Sequence, residues 1–246
     1  SGNVTDNDDP ATITIIGGNG QSTVVNTAFG AALTVEIRNS NGDLIEGASV
    51  TFTPPGVGQS ATITSSPATT NTLGVASVNA TANTVDGSYN VVVTSGTAPS
   101  QNISLTNTVG AAATLMLMGG NNQQTPVNTS FGVPLAVRLQ DSFGNPISGQ
   151  TIIFTANIGG GGQTATLSIP AVTDANGDTF VNATANGFAG TYTVVANFGA
   201  LITTFNLENL DPATLSANAV CVGANLQVNI VSGSANFNIT ATSGAG

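Results

Sequence analysis

The stretch Val75-Ala76-Ser77-Val78-Asn79-Ala80-Thr81-Ala82 alternates apolar and polar residues, and beyond Asp86-Gly87 the run Ser88-Tyr89-Asn90-Val91-Val92-Val93-Thr94 continues the pattern. A period of two marks a strand with one buried face, and Asp-Gly between two such runs marks a turn. On either side, Ala11–Ile16, Leu33–Arg38 and Ser49–Thr53 read the same way, and Asn102–Thr106 closes the set. Turn signals separate them at Gly17-Gly18-Asn19-Gly20, Asn41-Gly42-Asp43, Pro54-Pro55-Gly56 and Asn71–Gly74. Seven or so short strands over about 100 residues predict a β-sandwich, and no segment reads as a helix.

The whole set then recurs. Ala11-Thr12 returns as Ala113-Thr114, Gly17-Gly18-Asn19 as Gly119-Gly120-Asn121, and Val25-Asn26-Thr27 as Val127-Asn128-Thr129, each 102 residues on. Phe29-Gly30 maps to Phe131-Gly132 and Phe52-Thr53 to Phe154-Thr155 at the same offset. After a small insertion, Asn79-Ala80-Thr81-Ala82-Asn83 matches Asn182-Ala183-Thr184-Ala185-Asn186, and Tyr89 matches Tyr192. These are two copies of one module. Both tyrosines sit in Gly-x-Tyr-x-Val near the start of a late strand, which suits a tyrosine corner or an ordinary half-buried strand aromatic. The junctions repeat too, since Asp9-Pro10-Ala11-Thr12-Ile13 resembles Asp211-Pro212-Ala213-Thr214-Leu215. The expected organisation is the end of a preceding module or a linker at 1–9, Ig-like domains at 10–110 and 111–211, and an incomplete, different β module at 212–246. In the last segment Thr214–Ala217, Leu226–Val231 and Asn236–Ala241 read as strands, too few for a core of their own.

Composition narrows the chemistry. The 246 residues carry 12 acids and 2 arginines (Arg38 and Arg138), a net charge of −10, with no Lys, His or Trp and one Cys. That removes an imidazole base, a Schiff-base amine and a Ser–His pair. One thiol makes no structural zinc site, and two arginines make no phosphate-binding patch, so no nucleic-acid partner is expected. No apolar run approaches a membrane span, so no direct membrane insertion is expected in this segment. A hydrophobic content of 40% is enough to build cores despite the low charge.

In the second copy, Asp141-Ser142-Phe143-Gly144-Asn145-Pro146-Ile147-Ser148-Gly149 leads into Ile152-Ile153-Phe154, followed by Thr173-Asp174-Ala175-Asn176-Gly177 and Ala189-Gly190-Thr191-Tyr192-Thr193-Val194. This ordered set resembles the bacterial Ig-like repeats of group 1, those of invasin and intimin, over roughly residues 10–210. The first copy departs from the pattern, with Asn39 for the leading Asp, Leu44 for Pro and Asn71 for the Asp of the second turn. The resemblance implies rigid, tandem, secreted or surface-exposed spacer domains, with adhesion usually carried at a tip. Asn3-Val4-Thr5-Asp6-Asn7-Asp8-Asp9 resembles instead the end of a Calx-β module, whose clustered acids help to bind calcium.

Asp6, Asp8 and Asp9 are the candidate metal ligands. Three carboxylates within four residues at a domain seam would hold calcium and stiffen the joint; the alternative is a solvated acidic linker. Asp174-Ala175-Asn176-Gly177-Asp178 superficially matches a calcium loop but has Ala185 where a bidentate Glu is needed, so the side chains of Asp174 and Asn176 are expected to bond their own turn. Asp43 and Glu46 are close in sequence but lie in a turn with no sugar platform. Arg38 and Arg138 are expected to pair with neighbouring acids. Cys221 reads as a buried small hydrophobe or half of a disulfide. Asn-x-Ser/Thr triplets stand at Asn3, Asn79, Asn102, Asn128, Asn182 and Asn238.

The expected function is non-catalytic: a stalk or fibre segment of a bacterial cell-surface or secreted adhesin-like protein, extracellular, whose partners are neighbouring modules of the same or adjacent chains. One alternative is the subunit of a self-assembling filament, a homopolymer held by strand addition. Another is a receptor- or glycan-binding adhesin module. No cofactor beyond calcium is expected.

Overall fold

A computed structural model describes residues 9–169, 171–211, 217–222 and 225–230. Every regular element among them is a strand, as the alternation requires. Two compact units divide the chain: Ser1–Thr114 with Leu139–Ile147, and Leu115–Arg138 with Ser148–Gly246.

The first unit carries β1 (Thr12–Gly17), β2 (Gln21–Val24), β3 (Leu33–Arg38), β4 (Ser49–Thr53), β5 (Ala61–Thr64), β6 (Ala68–Thr69), β7 (Val75–Ala82), β8 (Gly87–Thr94) and β9 (Gln101–Thr108). One sheet has the order β1-β3-β7-β5 and the other β2-β9-β8-β4-β6. Pairing is antiparallel except between β2 and β9, which run parallel with Gln21 opposite Leu105. The opening strand is therefore split: β1 joins one sheet, the glycine turn at 17–20 breaks it, and β2 joins the other. Leu33, Val35 and Ile37 of β3 face Val91 and Val93 of β8 and Ile103 and Leu105 of β9 in one core, all essentially without solvent contact. At about 25 cal/mol per Å2, each of these side chains stabilises the fold by about 1.5–3 kcal/mol on burial.

The second copy of the module repeats the plan with β10 (Ala112–Gly119), β11 (Gln123–Pro126), β12 (Leu135–Asp141), β13 (Ile153–Ala156), β14 (Ala165–Leu167), β15 (Asp178–Val181), β16 (Ala183–Ala185), β17 (Gly190–Phe198) and β18 (Leu201–Leu210), the division between the units falling after Thr114 in β10 and after Arg138 in β12. β10-β12-β15 forms one sheet, β11-β18-β17-β13 the other, and β14 pairs with β16. Its core holds Leu135, Val137, Val194 and Phe205, with Phe154 tilted against Phe205 at a centroid distance of 6.1 Å. Beyond it, β19 (Ala217–Val222) and β20 (Asn225–Ile230) pair as an antiparallel hairpin. The strand expected at Thr214–Ala217 is thus centred further on, at Ala217–Val222, while 236–241 lie outside the described residues.

Candidate functional site

Polar side chains inside each sandwich are organised around one asparagine on the last strand. Asn107 of β9 is 1% exposed, and its Nδ2 donates to Ser60 O, Asn83 Oδ1 and Val85 O at 2.9–3.1 Å. Asn83 Oδ1 also accepts the N–H groups of Ser60 and Val85, and its Nδ2 donates to Gly58 O. In the second unit Asn209 does the same to Thr164 O, Asn186 Oδ1 and Phe188 O, and Asn186 Nδ2 donates to Gly162 O. Two asparagines per module thereby tie three loops together. Asn107 and Asn209 stand at the repeat offset of 102 residues, a signal that was open to sequence reading and passed over.

The tyrosines point into this network. Tyr89 Oη donates to Asn107 Oδ1 at 3.1 Å, a side-chain acceptor rather than the upstream backbone of a tyrosine corner. Tyr192 Oη and Asn209 Oδ1 are buried without a hydrogen-bond partner. Burial pushes both phenols up to about 12.

The carboxylates serve turns. Asp141, 1% exposed, accepts the N–H groups of Phe143 and Asn145 on Oδ1, and Asn145 Nδ2 and Gly110 N–H on Oδ2. Burial alone would push its pKa up, but these four donors outweigh burial and hold the group below the usual carboxylate range. Asn145, in the same unit, also donates to Thr84 O and accepts the Asp86 N–H. In the first copy Asn39 Oδ1 accepts the N–H groups of Asn41 and Asp43, so the amide closes the same turn.

At Asp174 the expected turn role holds: Oδ1 accepts the N–H groups of Asn176 and Asp178. Asn176 contributes its backbone N–H to that turn. Asp178 is engaged elsewhere, accepting both Nε and Nη2 of Arg138 at 2.6 Å, and that bond holds its carboxyl below the usual range. Arg38 Nε bonds Glu36 at 2.6 Å, so both arginines pair with acids as expected.

Of the calcium candidates, Asp6 and Asp8 lie outside the described residues, and Asp9 is exposed. Among the described residues no three His, Cys, Asp or Glu side chains converge on a metal position. Asp43 and Glu46 are exposed on their turn, and Asn79, Asn102, Asn128 and Asn182 are all exposed. Asn3 and Asn238 lie outside the described residues, as does the side chain of Cys221.

Two grooves mark the surface of the second unit. One, of about 570 Å3, is of mixed character, with Ile158, Tyr192 and Leu207 beside Gln124, Asn157 and Glu208. The other, of about 440 Å3, lies on the outer face of the β10-β12-β15 sheet, with Met118, Ala136, Ile169, Val172 and Phe180 along it and Asp174 and Asp178 on its border.

No protein-family model matches the chain, and no curated protein matches it in sequence. Solved structures do. InvD of Yersinia pseudotuberculosis is 17% identical, with a TM-score of 0.52 over 87% of this chain and 64% of that one. The Escherichia coli adhesin FdeC is 17% identical, with a TM-score of 0.44 over 80% of this chain and 63% of that one. Invasin, a bacterial integrin-binding protein, is 16% identical, with a TM-score of 0.42 over 85% of this chain and 42% of that one. The chain spans less than two thirds of each of these solved chains. The fold is that of tandem Ig-like β-sandwich domains, and the chain is similar to the Ig-like domains of bacterial adhesins.

Proposed function

We propose that the chain is a non-catalytic structural segment of a bacterial cell-surface or secreted adhesin-like protein, built from group 1 Ig-like repeats. The observation that carries this reading is repetition with independent cores: two copies of one module, each closed around its own apolar interior. Modules of this kind lengthen a chain without adding chemistry, which is what a spacer requires. The adhesin neighbours support the setting, and the lack of Lys and His in the sequence supports the absence of catalysis.

Two measurements test it. Antibodies raised against the folded chain should label intact, unpermeabilised source cells or appear in their medium; labelling only after lysis would overturn the surface assignment. Stretching one chain by its ends should give two separate unfolding events, each releasing about 100 residues at ~3.4 Å apiece. A single event, or gradual extension at low force, would overturn the spacer reading.

A further inference from the structure

Asn145 holds a loop of the first unit by its backbone. The residue is 7% exposed and belongs to the first unit, although it lies on the turn that follows β12 of the second sequence copy. Its Nδ2 donates to Thr84 O at 2.9 Å, and its Oδ1 accepts the Asp86 N–H at 3.3 Å. A carboxamide carries a donor and an acceptor side by side, as a peptide group does, so it can pair with a carbonyl and an N–H two residues apart. Asp141 keeps the amide oriented, because its Oδ2 accepts the same Nδ2 at 2.8 Å.

The second unit builds the same loop. Asn83-Thr84-Val85-Asp86-Gly87 corresponds to Asn186-Gly187-Phe188-Ala189-Gly190. Asn83 and Asn186 accept the N–H groups of Val85 and Phe188, and Asn107 and Asn209 donate to Val85 O and Phe188 O. Gly87 and Gly190 both hold φ of +128°. The outer pair of backbone groups is where the loops differ. Among the described residues Gly187 O and Ala189 N–H, the counterparts of Thr84 O and Asp86 N–H, have no hydrogen-bond partner. Phe188 stands between them, 58% exposed, where the first unit has the smaller Val85.

We propose that loop 186–189 of the second unit is the seat for a further Ig-like module in tandem, whose turn lays an asparagine side chain across Gly187 O and Ala189 N–H. The occupant follows from the filled seat. Turn 141–145 shows which group fits: an asparagine four residues after the aspartate that closes the turn. A second copy of this chain does not supply that group. The turn at the same place in its first module reads Asn39-Ser40-Asn41-Gly42-Asp43, with a carboxylate where the carboxamide is needed. A carboxylate accepts from Ala189 N–H but has no donor for Gly187 O. The inference rests on the stalk reading and names the group by which one module of the array holds its neighbour.

The test is amide hydrogen exchange, read by nuclear magnetic resonance on the full chain and on an extended chain that runs 1–210 and then 109–246. The extended chain repeats the second module behind its own natural junction. In the parent, Asp86 N–H should be protected and Ala189 N–H should exchange freely. In the extended chain, exchange at the Ala189 before the join should slow by more than about tenfold, while the Ala189 after the join stays fast. Asn145→Ala in the copy after the join should restore fast exchange at the first Ala189 and leave Asp86 slow. Slow exchange along β17 and β18 reports that the chain is folded, and Asn145→Ser is the second variant should the first not fold. Ala189 exchange that is already slow in the parent, or that stays fast before the join in the extended chain, overturns the proposal. So does protection that survives loss of the Asn145 carboxamide in a folded chain. None of these results bears on surface labelling or on the two stretching events, so failure here is distinct from failure of the stalk reading.

Discussion

At the scale of single residues, the modules are decided where the backbone leaves no room. Gly18 and Gly120 hold φ of +79° and +83°, and a Cβ placed on them would stand 2.5 Å from Ala32 O and 2.3 Å from Pro134 O. This is where the opening strand crosses between sheets, so the crossing depends on a residue with no side chain. Gly120→Ala is expected to destabilise the second unit by more than about 1 kcal/mol, whereas Gly132→Ala, with open space around it, should leave melting nearly unchanged. The Asx turns make a second residue-scale case. An amide at position 141 would still close the turn, as Asn39 does, but would aim its NH2 at two donors, Gly110 N–H and Asn145 Nδ2. Asp141→Asn should therefore cost about 1–3 kcal/mol at neutral pH. The folded carboxyls of Asp141 and Asp178 lie below their unfolded value of about 4. The stability they contribute is fully present above that pH and is lost as pH falls through the lower, folded values. Unfolding midpoints of parent and variant should converge between pH 7 and pH 2; a constant gap would count against this assignment.

At the scale of elements, the long strands were legible and the short ones were not. β3 and β4 match the alternation residue for residue, and β7 does too, because one face of each strand is sealed in the core and the other is wet. β2, β5 and β6 are two to four residues long and lie at sheet margins, too short for a period to stand out even where β5 alternates as Ala-Thr-Ile-Thr. The site was legible to a similar degree. The turn role of Asp174 and the pairing of both arginines could be read locally. The Asn107 network could not, because its partners lie 22–47 residues away. That network predicts an asymmetry between β8 and β17. Tyr89→Phe removes a bond to Asn107 and leaves a buried acceptor unpaired, so it should cost about 1 kcal/mol or more. Tyr192→Phe removes a hydroxyl that has no partner and should be neutral or stabilising. Thermal unfolding of the two single variants decides it, and equal losses would contradict the difference between the modules.

At the scale of the whole molecule, the scarcity of basic residues turns the chain into its own two-channel stability probe. Trypsin has two sites, after Arg38 in β3 of the first unit and after Arg138 in β12 of the second. Each arginine is held in a strand by backbone pairing and by an ion pair, so cleavage requires that strand to open. A native chain should resist the protease, since access tracks the population of the opened unit when opening and closing are fast. Each core is closed around its own apolar interior, so the two sites are expected to become cleavable at separate denaturant concentrations. Brief proteolysis along a urea gradient, read by mass, then assigns each transition: Ser1–Arg38 is released when the first unit opens, and cleavage after Arg138 follows the second. Gly120→Ala should shift only the Arg138 transition to lower urea. If both cuts move together in that variant, the modules unfold as one cooperative body, and the picture of independently closed sandwiches along a stalk fails with it.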